Sequence, residues 1–186
     1  MKDSIRLFVA VTLPPELKEL LQEQLRVYEH PSLRFVPAQN LHLTLFFIGN
    51  VPEEQLPDIT QHIRHIAAQT QPFTLNLEQI EPGPARRQPR LVWARFTPHP
   101  SFETLSYKLT EALAQQPVKK QKPIPHVTLA RFRKDKQTPE KLPVVPATAP
   151  VQLHIQEITL WQSKLASPHP VYSELESFAL ATTHTT

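Results

Sequence analysis

The pattern of apolar and polar positions divides the chain into short alternating stretches. IRLFVAVTL (5–13) reads as a strand and is closed by Pro14-Pro15. In PPELKELLQEQLRVYE the period changes: Leu17, Leu20, Leu21 and Leu25 recur at helical spacing behind a proline in the first turn. A short strand, LRFV, follows, then the strand LHLTLFFIG, which the pattern stops at Gly49-Asn50. A second helix opens at Pro52, with Leu56, Ile59, Ile63 and Ile66 on one face. FTLNLEQI and LVWARF are strands, SFETLSYKLTEALA is a helix and PHVTLARF a strand. A proline-rich connection over 137–150 leads to two final strands, VQLHIQEITLWQ and VYSELESFAL.

Strand, helix and a His-x-Thr strand therefore occur in that order twice. His42 and His126 are 84 residues apart, and comparing 7–48 with 91–132 at that offset finds nine identities in 42 positions. Chance at ordinary composition would give roughly three. The excess points to an internal duplication, which predicts two lobes related by an approximate two-fold axis. Residues 1–186 read as one domain of two intertwined lobes, with motif one at 42–45 and motif two at 126–129. The ATTHTT segment, which contains His184, reads as a frayed tail over 182–186.

Composition narrows the chemistry. The 186 residues include 21 prolines but only 2 glycines, so turns rest mostly on proline and a Gly-rich phosphate loop is excluded. There is no cysteine, hence no disulfide, thiol nucleophile or Cys-ligated zinc. The opening apolar run is too short to span a membrane and lacks a cleavage-site pattern. The net charge is +3, but its distribution says more. Lys119, Lys120, Lys122, Arg131, Arg133, Lys134 and Lys136 fall in one region, opposed only by Asp135, and Arg86, Arg87 and Arg90 form a second cluster. Together they favour a polyanionic partner.

On a strand, residues i and i+2 share a face. Leu41, Leu43 and Leu45 then point to the core and His42 and Thr44 away from it; Val127 and Leu129 are core, and His126 and Thr128 face away. A lone His-x-Thr is ordinarily just a half-exposed strand, but two copies at equivalent places in a duplicated unit are hard to dismiss. A two-fold axis would bring both pairs together across a cleft. That suits in-line displacement at phosphorus, which needs a base on the attacking oxygen and an acid on the leaving oxygen. Imidazole can serve as either near neutral pH, and threonine hydroxyls can donate to the non-bridging oxygens. Two imidazoles suffice to move the protons, and no carboxylate cluster for a two-metal site is visible. No metal or cofactor is expected.

At these residues the sequence resembles the 2H phosphoesterases, and most of all their RNA 2′,3′-cyclic phosphodiesterase branch, the LigT-like or 2′-5′ RNA ligase family. The resemblance rests on RLFVAVTLP, NLHLTLFFIGNV, PHVTLARF and the closing LWQSKLASPHPVYSELESFAL. It implies a bilobal α+β fold in which two antiparallel sheets line a central cleft with helices packed outside. It also implies metal-independent opening of a terminal 2′,3′-cyclic phosphate to a 2′-phosphomonoester. By the same resemblance His42 is the proton donor, His126 the proton acceptor, Thr44 and Thr128 bind the phosphate, and Arg131 contacts substrate. One departure is SPHPVY (167–172), where His169 stands in place of a frequent glycine.

Partners are then RNA ends or nucleotides carrying a 2′,3′-cyclic phosphate, for a cytoplasmic, monomeric protein without membrane association. The same site could instead make 2′-5′ linkages, open a cyclic nucleotide, or bind RNA without turnover. His62 and His65, at i and i+3 on the second helix, are expected at the edge of its buried face and not as metal ligands. His30, His99, His154 and His169 show no recognisable partner. Trp93 and Trp161 read as core, although either could line the cleft.

Overall fold

The computed structural model describes residues 3–119 and 121–182. Residues 183–186, with most of the expected tail and His184, lie outside the described residues, as does Lys120. In chain order the elements are β1 (Ser4–Thr12), α1 (Pro15–Leu25), β2 (Leu33–Phe35), β3 (His42–Pro52), α2 (Leu56–Ala68), β4 (Phe73–Gly83), β5 (Leu91–Phe96), α3 (Pro100–Leu113), β6 (His126–Phe132), β7 (Val145–Pro146), β8 (Gln152–Ile155), β9 (Glu157–Lys164) and β10 (Val171–Ala179).

The strands run β10-β9-β1-β3-β6-β5-β4-β7, with β2 on β6 and β8 on β4, and the pairings are antiparallel. This is the α+β architecture the sequence implied. The two half-sheets, however, are not separate: they join edge to edge through one register pair, Leu43 with Val127. The helices lock the halves together. α1 is in the chain between β1 and β3 yet packs on β6, and α3, between β5 and β6, packs on β3. Leu17, Leu21 and Leu25 of α1 and Phe102, Leu105 and Leu109 of α3 are buried in the large core beneath the sheet, with Leu7, Val9, Leu43 and Val127. α2 adds Ile59, Ile63 and Ile66 to that core.

The duplication is visible in the ladders, with a correction to its alignment. Leu43 pairs with Val11 and Val127 with Ala94; Thr44 pairs with Ala10 and Thr128 with Trp93. In each half the next registered pair skips one residue, Leu45 in β3 and Leu129 in β6, so the same β-bulge occurs in both. The offset is 84 between β3 and β6 but 83 between β1 and β5. The helix-opening prolines, Pro15 and Pro100, are 85 apart. The identities Leu7/Leu91, Ala10/Ala94 and Pro14/Pro98 at a uniform offset of 84 are thus not structural equivalents.

Several element boundaries also differ from the sequence pattern: α2 opens at Leu56 behind a 3-10 turn over Glu53–Gln55 and not at Pro52, which ends β3; β4 runs on to Gly83; and β7 lies inside the connection expected over 137–150. β3 does not stop at Gly49: it continues to Pro52, with a second bulge at Ile48 and Gly49 at φ +89°, a conformation that glycine adopts without Cβ strain. VQLHIQEITLWQ is two strands, broken at Gln156. β8 pairs with β4 in one half and β9 with β1 in the other, so the chain crosses between halves there.

Candidate active site

Because β3 and β6 meet antiparallel at Leu43 and Val127, the flanking residues face one another in reverse order. His42 lies across from Thr128, and Thr44 across from His126. All four are on the sheet face opposite the helices, with the two imidazoles on one diagonal and the two hydroxyls on the other. Such diagonal positions are roughly 7–8 Å apart between backbones, room for a phosphoryl group between the rings. The ladder holds at only this one pair, so the strands diverge on either side of it and open a cavity of about 180 Å³. His42, Thr44, His126, Thr128 and Arg131 all line it. The four motif residues are half-buried and Arg131 is exposed.

Each imidazole is tied down in the same way. His42 Nδ1 donates to the Asn40 carbonyl and His126 Nδ1 to the Ile124 carbonyl, both at 2.7 Å and both two residues back along the chain. A carbonyl only accepts, so Nδ1 carries the proton in each ring and Nε2 remains for the cleft. Burial pushes His42 down from an ordinary 6.5 to about 4; the Asn40 carbonyl opposes this, while the charge of Arg131 adds to it. His126 is lowered too, by burial first and then by Arg131, against the pull of Ile124. Both rings are therefore neutral near pH 7.

The two rings have different supports. His42 rests on a small apolar cluster of Phe8, Ala10 and Trp161, edged by Tyr172. Its ring is 4.9 Å from Phe8 and 5.4 Å from Tyr172, and Phe8 in turn stacks on Trp161. His126 packs against Trp93 at 4.7 Å. Trp93 fits only because residue 83 is glycine, since a Cβ there would be 2.6 Å from the indole. Both tryptophans are buried beneath the histidines and neither lines the cavity. The exposed aromatic ring at the cleft is Phe47, with Arg6 over it at 4.9 Å. The bulge at Leu45 is what turns Phe47 to this face.

A family model described as the 2′-5′ RNA ligase superfamily matches residues 7–166 of the chain. The chain belongs to that superfamily. A relative in Thermus thermophilus, named RNA 2′,3′-cyclic phosphodiesterase, is 34% identical over 97% of this chain and 92% of its own. One of the same name in Archaeoglobus fulgidus is 27% identical over 94% and 99%. A crystal structure of a Thermus thermophilus protein superposes with a TM-score of 0.84 at 31% identity, covering 97% of this chain and all of that one. The structure of E. coli LigT complexed with 3′-AMP gives 0.79 at 28% over the same shares.

Within this superfamily member, several cleft residues have no signal in the motifs. Arg34 Nη1 donates to the Pro168 carbonyl at 3.1 Å, and the buried Asn40 gives its Nδ2 to the Pro170 carbonyl at 2.9 Å. These bonds pin the 165–170 loop over the cavity and bring His169 to its wall. They link residues more than a hundred positions apart, so a local reading could not find them. The basic region also divides. Lys119 and Lys122 lie before β6 and Arg131–Lys136 at its far end, where the β4–β5 connection carrying Arg86, Arg87 and Arg90 joins them. Three other histidines have partners: His99 caps α3 through Ser101, His30 bonds Ser32, and His154 bonds Thr74 across the β4–β8 ladder. His62 and His65 are exposed on α2, outside the edge position expected of them. Among the described residues no three His, Asp or Glu gather as metal ligands, and no helix is long and apolar enough to cross a membrane.

Proposed function

We propose that the protein is an RNA 2′,3′-cyclic phosphodiesterase, opening the cyclic phosphate at an RNA end to leave a 2′-phosphomonoester. The observation that carries this reading is the pair of diagonal imidazoles, each with Nδ1 tied to its own backbone and Nε2 free for the cavity. In the reaction a water oxygen bonds to phosphorus opposite O3′ as the P–O3′ bond breaks. His126 Nε2 takes the proton from the water, and protonated His42 gives one to O3′. Solvent exchange then restores both rings. Thr44 and Thr128 donate hydrogen bonds to the non-bridging oxygens, and Arg131 offsets their charge. Their hydroxyls occupy the other diagonal, beside the phosphate and not in line with the bonds that change.

In the same reading residues 1–186 work as one domain of two intertwined lobes, a cytoplasmic monomer that needs no cofactor. The test is incubation with RNA ending in a 2′,3′-cyclic phosphate in excess EDTA, followed by mapping the oxygen that keeps the phosphate. The expected product is a 2′-phosphate, formed at an undiminished rate. A 3′-phosphate, or activity restored only by a divalent ion, would overturn the mechanism. Binding of this RNA without any turnover would leave the binding module as the correct reading.

A further inference from the structure

The arginines around the cleft differ in whether a carboxylate holds them. Near the start of β6, Arg95, the cross-strand neighbour of His126, is held by Glu78 at 2.6 Å and Glu81 at 2.7 Å, and Lys122 by Glu103 at 3.0 Å, whereas Lys119 has no carboxylate partner among the described residues. Near its end, Arg34, Arg90, Arg131 and Arg133 have no carboxylate partner among the described residues. Backbone bonds from Phe132 to Arg90 and from Arg133 to Ser32 hold these segments side by side. Arg34 and Arg131 are direct register partners on β2 and β6. Like charges in that relation destabilise a sheet unless an anion lies between them.

The 165–170 loop closes this end of the cavity. Its two pinned carbonyls, Pro168 and Pro170, flank His169, whose half-buried ring lines the cavity and has no hydrogen-bond partner among the described residues. An unpartnered imidazole beside an unpaired arginine is a place for a second anion. An RNA end supplies one next to the cyclic phosphate: the phosphodiester on the 5′ oxygen of the same ribose.

We propose that His169 and Arg34 form a second phosphate subsite, which takes the phosphodiester on the 5′ side of the terminal cyclic nucleotide, and that the RNA leaves the cleft over Arg90 and Arg133. This rests on the reading above that the chain acts on RNA ends. It makes the enzyme one for oligonucleotide ends in preference to free cyclic nucleotides. In the opposite direction of exit, the two cations nearest β6, Arg95 and Lys122, are already engaged by carboxylates.

The experiment compares kcat/KM for a nucleoside 2′,3′-cyclic phosphate with that for a dinucleotide ending in the same group, in wild type, His169→Ala and Arg34→Gln. Wild type should prefer the dinucleotide about tenfold or more, the worth of one charge-assisted hydrogen bond. Each substitution should remove most of that preference, chiefly through KM. His169→Ala keeps both bonds that pin the loop, so its result does not depend on the loop moving. Equal use of both substrates by wild type would overturn the subsite. So would a variant that loses both activities in the same proportion. Turnover of neither substrate by wild type would overturn the proposed function, and the subsite with it.

Discussion

Leu43 and Val127 face each other at the one point where the two half-sheets join, and each directly follows a histidine. They are equivalent positions of the duplicated unit, so the approximate two-fold axis passes between them. Residues on either side turn to the opposite face, and the antiparallel register sets each histidine diagonally from its counterpart. The two-fold relation therefore places one imidazole on each side of whatever occupies the centre. The surroundings are not two-fold: the rings of Phe8, Trp161 and Tyr172 pack around His42, while among the described aromatic rings only Trp93 packs on His126.

If the two rings form one acid–base unit, His42→Ala and His126→Ala should each lower kcat by roughly 10²–10⁴-fold. The double variant should be far less impaired than the product of the two. A substrate with a low-pKa leaving group should rescue only the variant lacking the acid, expected to be His42→Ala. Rescue of His126→Ala instead would exchange the roles, and near-normal kcat in either variant would end the two-histidine reading.

Protonation gives a second expectation. Both rings start neutral, so a proton must arrive with the anionic substrate, whose charge offsets that of Arg131. Binding of a nucleoside 2′-phosphate near pH 7 should take up roughly one proton, read as a dependence of calorimetric enthalpy on buffer ionisation. Stability should respond as well. As pH falls below 6.5 the unfolded chain protonates this histidine, whereas folded His42 resists down to about 4. The unfolded state then binds more protons, and stability declines across that window. His42→Gln should flatten the decline; an unchanged slope would show that burial does not hold the ring neutral.

The two glycines should behave differently. Gly83→Ala drives a Cβ to 2.6 Å from the Trp93 ring, with backbone on one side and a rigid indole on the other. It should cost about 1–3 kcal/mol in denaturant unfolding and lower kcat, because Trp93 supports His126. Gly49→Ala meets no neighbouring atom but must hold φ at +89°. It should cost about 1 kcal/mol with kcat retained. If Gly83→Ala kept full kcat, Trp93 would have no part in placing His126.

Unpaired arginines at one end of the cleft also predict a salt effect. Apparent affinity for an oligonucleotide should fall as salt rises, more steeply than for a mononucleotide cyclic phosphate. Equal slopes for the two ligands would mean that Arg90 and Arg133 are only solvated surface.

Local pattern alone determined most elements and the face of each motif strand. Alternation in LHLTLF and PHVTL separates buried leucine and valine from histidine and threonine, and that depends only on the strand period. The repeated order of elements likewise disclosed the duplication. Three things needed the tertiary structure. The bulges at Leu45 and Leu129 shift the partner strands by one residue, and a bulge reflects how two strands fit each other, not the composition of either. The break at Gln156 separates segments that satisfy their backbone groups on opposite half-sheets, a choice invisible in VQLHIQEITLWQ. Arg34 and Asn40 meet the loop carrying His169 at the cleft although more than a hundred residues separate them from it. Such contacts follow from how the half-sheets and their crossed helices pack, because packing, unlike strand period, is settled by the whole chain at once.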